Sequence, residues 1–187
     1  MRLGILGGTF DPPHVGHLLA ASDAFETLAL DRLMFIPAAA HPFKGDTVGA
    51  TPEQRVDMLA LVIAGDAGFG IDTIEIERSG LSYTVDTLAD LAHRYPDAER
   101  FFLIGEDLVD QVTTWRAPEQ LTQLAEIVVL ARGDLPESPA GPFRRLNTRR
   151  VDVSSTEIRA RVRAGLSLHG FVPDPVAAYI RDAGLYR

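Results

Sequence analysis

A chain of 187 residues that is 46% hydrophobic and 24% charged has ordinary globular composition and enough length for one domain with a full core. Its net charge of −8 argues against broad nucleic-acid binding, and the absence of cysteine excludes disulfides, thiolate nucleophiles and zinc–thiolate sites. Without a run of eighteen apolar residues, and with a first apolar run starting at residue 2, neither a transmembrane span nor a secretory signal is expected, which points to a cytoplasmic protein with no membrane partner.

The run at 2–6 reads as a buried strand, and it leads into GGTFDPPHVGH at 7–17. Val15, Leu18, Leu19, Ser22, Phe25 and Leu28 then recur at helical spacing over 15–30. LMFI at 33–36, FFLI at 101–104 and IVVLA at 127–131 are further buried parallel strands, and IDTIEIE at 71–77 alternates as a strand nearer a sheet edge would. Between them lie helix starts: Thr51-Pro52-Glu53-Gln54 with its capping box, SYTVDTL at 82–88 with Ser82 or Thr84 as cap, and Pro118. Ser154-x-x-Glu157 opens a helix over 155–164 that Gly165 ends, and Asp174-Pro175 opens a last one closed by Gly184. The expected fold is α/β, a doubly wound, mostly parallel, five-stranded Rossmann-like sheet. It forms a single domain over 1–187, with an α/β core over 1–153 and a helical tail over 154–187 packed on it. The stretch 144-RRLNTRR-150 reads as a solvated loop, with a phosphate-attracting rim as the functional alternative.

The turn at 7–17 is where such folds bind ligands. Gly7 and Gly8 allow close backbone approach by a bulky anion, Pro12 and Pro13 stiffen the chain, and the helix start offers free amides to a phosphate. His14 and His17, at i and i+3, share one face of that turn. Surface histidines would leave the glycines and prolines unexplained, and a metal pair has no third ligand nearby in sequence, so phosphate binding is the reading carried forward. A dinucleotide-binding dehydrogenase is disfavoured, because G-x-G-x-x-G is not met and the second strand ends in Ile36-Pro37 without an acidic residue.

Other candidates sit at strand ends and helix starts. Lys44 follows the second strand on a loop facing the crevice. Asp107, after Gly105-Glu106, is placed to hold a ribose hydroxyl or a magnesium-bound water, or to cap the next helix. The amides at SYTVDTL suit a carboxylate or an ordinary cap, and Trp115 suits core packing or stacking on a planar ring. Ser155, Thr156 and Arg159 combine hydroxyls, amides and a guanidinium into a second phosphate site.

With these residues in view, the chain resembles the bacterial nicotinate-nucleotide adenylyltransferases of the HxGH nucleotidyltransferase superfamily. The matching stretches are GGTFDPPHVGH, HPFK at 41–44, RVDM at 55–58, SYTVDTL, IGED followed by Trp115, VSSTEIR at 153–159 and VPDPVAAYI at 172–180, which together span nearly the whole chain. The resemblance implies transfer of AMP from ATP to nicotinate mononucleotide, giving deamido-NAD and pyrophosphate, with Mg²⁺ carried by ATP and no protein metal ligands assigned. It implies that His14, His17, Lys44 and Arg159 act on the triphosphate. Gly8, Thr9, Phe10, Ile104, Gly105, Asp107, Ser155 and Thr156 would bind ATP, with Arg132 a secondary contact. Tyr83, Thr84 and Trp115 would hold the nicotinate nucleotide. The chain departs from the family at Phe43, where many members have histidine, and after Arg132, where proline is usual. A pantetheine-phosphate adenylyltransferase shares the first motif but lacks SYTVDTL and the tryptophan, and a nucleotide-sensing module would need only the cradle. Neither sequence nor resemblance fixes the oligomeric state, so a homo-oligomer stays open.

Overall fold

The computed structural model describes residues 1–39, 49–78, 80–132 and 143–187. Six parallel strands run β1 (Arg2–Gly8), β2 (Arg32–Pro37), β3 (Phe69–Ile71), β4 (Glu99–Gly105), β5 (Glu126–Arg132) and β6 (Arg144–Thr148), in the sheet order β3-β2-β1-β4-β5-β6. The order reverses between β1 and β4, and their carboxyl ends open the crevice that such sheets use for ligands.

Alternation along the strands divides the core. Leu3 and Ile5 of β1, Phe102 and Ile104 of β4 and Ile127 and Val129 of β5 face one side. There they meet Leu88 and Leu91 of α4 (Thr84–Arg94) and Leu121 of α5 (Pro118–Leu124). Leu6, Phe101, Leu103, Val128 and Leu130 face the other, against Ala21, Ala24 and Leu28 at α1 (Val15–Thr27). Strands buried on both faces explain the continuous apolar runs.

Two expectations change. The sheet has six strands where the sequence suggests five, because RRLNTRR is an edge strand and a turn. Leu146 and Thr148 point inward, while Arg144 pairs with Glu126, Arg145 with Glu106, Arg149 with Asp23 and Arg150 with Asp152. One apolar residue among four arginines hides a strand from periodicity, and charge on the outermost strand discourages pairing with another chain. The run 71–77 is not a strand beyond Ile71. The Asp72 carboxylate accepts from the Ile74 amide at 3.0 Å and starts the short helix α3 (Ile74–Arg78). Such a local side-chain bond competes with the ladder.

The other helix signals hold with small shifts. Thr51 and Gln54 form the reciprocal capping box of α2 (Pro52–Val62). Ser154 caps α6 (Ser155–Arg163), and α7 (Asp174–Asp182) follows. Neither Ser82 nor Thr84 caps α4: Tyr83 occupies that position, and the Ser82 hydroxyl instead accepts from the Ala39 amide. The first helix ends at Thr27 rather than reaching residue 30. A third apolar cluster joins the tail to α2, through Met58 and Val62 on one side and Ile158, Val172, Val176, Ile180, Leu185 and Tyr186 on the other. Among the described residues no helix is long and apolar enough to cross a membrane.

Candidate active site

The turn after β1 builds the first half of the site. His14 takes the N-cap position of α1 with extended backbone, and its N–H donates to His17 Nδ1 at 3.2 Å. The two rings stack with centroids 3.7 Å apart, as the i, i+3 spacing requires, and Phe10 meets His17 edge-on at 5.0 Å. Because Nδ1 of His17 accepts, the neutral ring carries its hydrogen on Nε2. The structure adds a second requirement at Gly8: a Cβ there would lie 2.9 Å from the Phe10 ring. Phe10 itself is buried with φ 52° and does not line the cavity, so its ring belongs to the core.

A buried carboxylate holds the turn in place. Asp11 is 3% exposed and accepts from the amides of Gly49 and Ala50 at 2.8 and 3.1 Å and from the Tyr186 hydroxyl at 2.7 Å. Burial, then the hydrogen bond to Asp11, pushes the Tyr186 phenol far above its ordinary range, so it stays a donor. Arg159 Nη1 donates to the Asp11 carbonyl at 2.7 Å and lies 3.8 Å from its carboxylate, and Ser155 Oγ donates to the Pro12 carbonyl at 2.8 Å. Arg159 Nη2 reaches the Thr156 hydroxyl at 3.3 Å. The tail thus returns three expected residues to the loop, where in this structure Ser155 and Arg159 act as staples.

Arg55 was missed as a site residue. It is 1% exposed, and its Nη1 donates to the Thr9 carbonyl at 2.8 Å. Burial lowers its pKa from the ordinary value, and the negative charge of Asp11 opposes that shift. A signal was available: Arg55 continues the buried stripe of Met58, Leu59 and Val62 at helical spacing, where an arginine needs a partner.

A cavity of about 810 Å³ opens beside this loop. Gly8 and Thr9 line it after β1, Ile104, Gly105 and Asp107 after β4, and Tyr83, Thr84, Trp115 and Arg116 along its far wall. The hydroxyl of Thr9 is buried with no hydrogen-bond partner among the described residues, so an arriving donor or acceptor meets a ready group. Asp107 is exposed, on the first turn of a 3-10 helix (Glu106–Thr114), with Oδ1 2.5 Å from where a Gly105 Cβ would stand. Trp115 packs against the core, its ring meeting Phe102 edge-on at 6.2 Å, and it also lines the cavity. The carbonyl of Tyr83 takes the amides of Asp86 and Thr87 at 3.1 and 3.3 Å, and the helix start behind it faces the same space. Arg132 ends β5 beside Thr148, its side chain outside what the structure describes, and Lys44 lies outside the described residues. Among the described residues no group of three His, Cys, Asp or Glu side chains could hold a metal ion.

Comparison with known proteins agrees with this geometry. A Gemmatimonas aurantiaca protein named probable nicotinate-nucleotide adenylyltransferase is 47% identical, over 100% of this chain and 93% of its own. A Thermus thermophilus protein of the same name is 44% identical over 100% of both chains. The solved Plasmodium falciparum nicotinic acid mononucleotide adenylyltransferase, complexed with NaAD, superposes with a TM-score of 0.83. It is 19% identical, with 99% of this chain and 97% of that one covered, which speaks to fold alone. The cytidylyltransferase-like family matches residues 5–161, and with full-length relatives at these identities the chain belongs to that family, in its nicotinate-nucleotide adenylyltransferase branch.

Proposed function

We propose that the protein, acting as one unit over 1–187, transfers AMP from ATP to nicotinate mononucleotide, forming deamido-NAD and pyrophosphate for NAD biosynthesis. The observation that carries this reading is a cavity, open at the reversal of strand order, lined by Gly8 and Thr9 where the histidine-bearing turn begins and walled by Tyr83, Thr84 and Trp115. A phosphate oxygen of nicotinate mononucleotide attacks the α-phosphorus of ATP in line, the new P–O bond forms, and the bond to pyrophosphate breaks. No covalent intermediate is needed, so the protein's task is positioning and charge stabilisation.

His17 Nε2–H and His14 meet the phosphate oxygens as charge moves onto the leaving group, and the start of α1 adds its dipole. Lys44 and Arg159 complete the set on the triphosphate, with Arg159 exchanging its contact with Asp11 for a phosphate oxygen. Ser155 and Thr156 add donors at the start of α6, and Arg132 is a further contact. Gly8, Thr9, Phe10, Ile104, Gly105 and Asp107 border the adenosine. Asp107, the exposed carboxylate at the cavity, would hold a water of an Mg²⁺ carried by ATP, which would supply neutralisation of phosphate charge. Dependence on ATP suits a cytoplasmic enzyme.

The nicotinate carboxylate is received by the free amides and hydroxyls around Tyr83 and Thr84, with Trp115 stacked on the ring. An amide group would set NH₂ against those donors, and a site built on hydrogen bonds rejects such an analogue by up to ~10⁴. Pyrophosphate release with ATP and either pyridine nucleotide should therefore show strong preference for nicotinate mononucleotide. Trp115→Ala should weaken both without reversing the order. Equal kcat/KM for the acid and amide nucleotides in the unmodified protein would overturn this assignment of the pocket.

A further inference from the structure

The residue after the pocket tryptophan brings to the acceptor wall a positive charge that SYTVDTL itself lacks. Arg116 lines the cavity, its guanidinium lies 4.9 Å from the centroid of the Tyr83 ring, and its Nη1 is 3.2 Å from Asp86 Oδ2. Asp86 stands in the first turn of α4, the end of the helix with free amides. A carboxylate in that turn suits the helix dipole but repels any second carboxylate arriving at the same amides. Arg116 is the cation that cancels it.

The pair does little for folding. The side chains of Arg116 and Asp86 are 58% and 38% exposed, and ion pairs this open to water contribute little to stability. Stacking on Tyr83 instead fixes where the guanidinium sits, since a planar cation keeps its place over a ring face while its N–H groups point outward along its edge.

We propose that Arg116, on the wall of the nicotinate pocket, preserves the preference for an acid over an amide acceptor by balancing Asp86 in the first turn of α4. The proposal rests on the functional reading above and deepens it. With both residues present their charges cancel, and the amides of α4 decide. Without Arg116, the lone charge of Asp86 opposes the nicotinate carboxylate and leaves the neutral amide untouched. Without Asp86, the unopposed guanidinium favours the acid further. With neither, balance returns.

The test is a four-member cycle: the unmodified protein, Arg116→Gln, Asp86→Asn and the double variant. Pyrophosphate release is measured with ATP and each pyridine mononucleotide at low ionic strength. The ratio of kcat/KM for acid over amide should fall about tenfold in Arg116→Gln, rise a few-fold in Asp86→Asn, and return near the unmodified value in the double variant. A purely structural role would lower both nucleotides together in Arg116→Gln and in the double variant, with the ratio unchanged; that result overturns the proposal. Absence of acid preference in the unmodified protein would instead overturn the pocket assignment itself, so the two failures are told apart.

Discussion

His17→Ala is expected to lower kcat with nicotinate mononucleotide by about 10²–10³-fold, the scale for losing one preorganised donor at a developing charge. The expectation comes from how the ring is held. Its Nδ1 is occupied by the His14 amide at 3.2 Å, one face stacks on His14 at 3.7 Å, and Phe10 meets it edge-on at 5.0 Å. A ring fixed on these sides donates from Nε2 without searching for its orientation, so the cost of ordering it is met on folding rather than in the transition state. The same substitution removes an acceptor from a helix N-terminus, which costs about 1 kcal/mol of stability, too little to unfold the protein. Stability and turnover therefore separate: thermal unfolding should shift by a few degrees while kcat collapses and KM for ATP moves less. Near-full turnover in the folded variant would overturn the role given to this imidazole.

Much of this site could be read from the chain because its parts lie close in sequence. The histidines owe their shared face to a spacing of three on a helix start, which periodicity reports directly. The buried strands of the sheet centre declare themselves as apolar runs for the same local reason. The edges do not. β3 keeps three residues because Asp72 turns the chain, and β6, in a stretch with one apolar residue among four arginines, is placed by its ladder to β5. Asp11, Arg55 and Tyr186 are hidden for a stronger reason. They lie 44 and 131 residues apart along the chain, and only folding brings the Thr9 carbonyl to Arg55 and the Tyr186 hydroxyl to Asp11. A second demand on Gly8 is not visible in the sequence, because what fills the space of its absent Cβ is the Phe10 ring, which a left-handed residue turns back onto it.

Asp11→Ala is expected to destabilise the protein by about 3–5 kcal/mol, the cost of leaving buried charge and donors without their partner. Four groups converge on this carboxylate: the amides of Gly49 and Ala50, the Tyr186 hydroxyl, and Arg159 at 3.8 Å. Arg55, 1% exposed, also depends on its charge. Alanine strands all of them at once, whereas Tyr186→Phe removes one donor and leaves the carboxylate three partners. The tyrosine variant should therefore lose only about 1–2 kcal/mol. Asp11→Asn should fall between the two, because it keeps an acceptor but gives up the charge that faces two arginines. For a chain of this length the alanine variant should melt roughly 10 °C lower, and denaturant unfolding should show a shifted midpoint with an unchanged slope. A double cycle with Tyr186→Phe should be strongly non-additive, since the hydroxyl has nothing to lose once Asp11 is gone. Turnover should suffer as well at temperatures where the variant is folded, because Asp11 ties residue 49 and the last turn of the chain to the loop that presents His14. An Asp11→Ala protein within about 0.5 kcal/mol of the unmodified one would mean that the carboxylate is not what holds the turn.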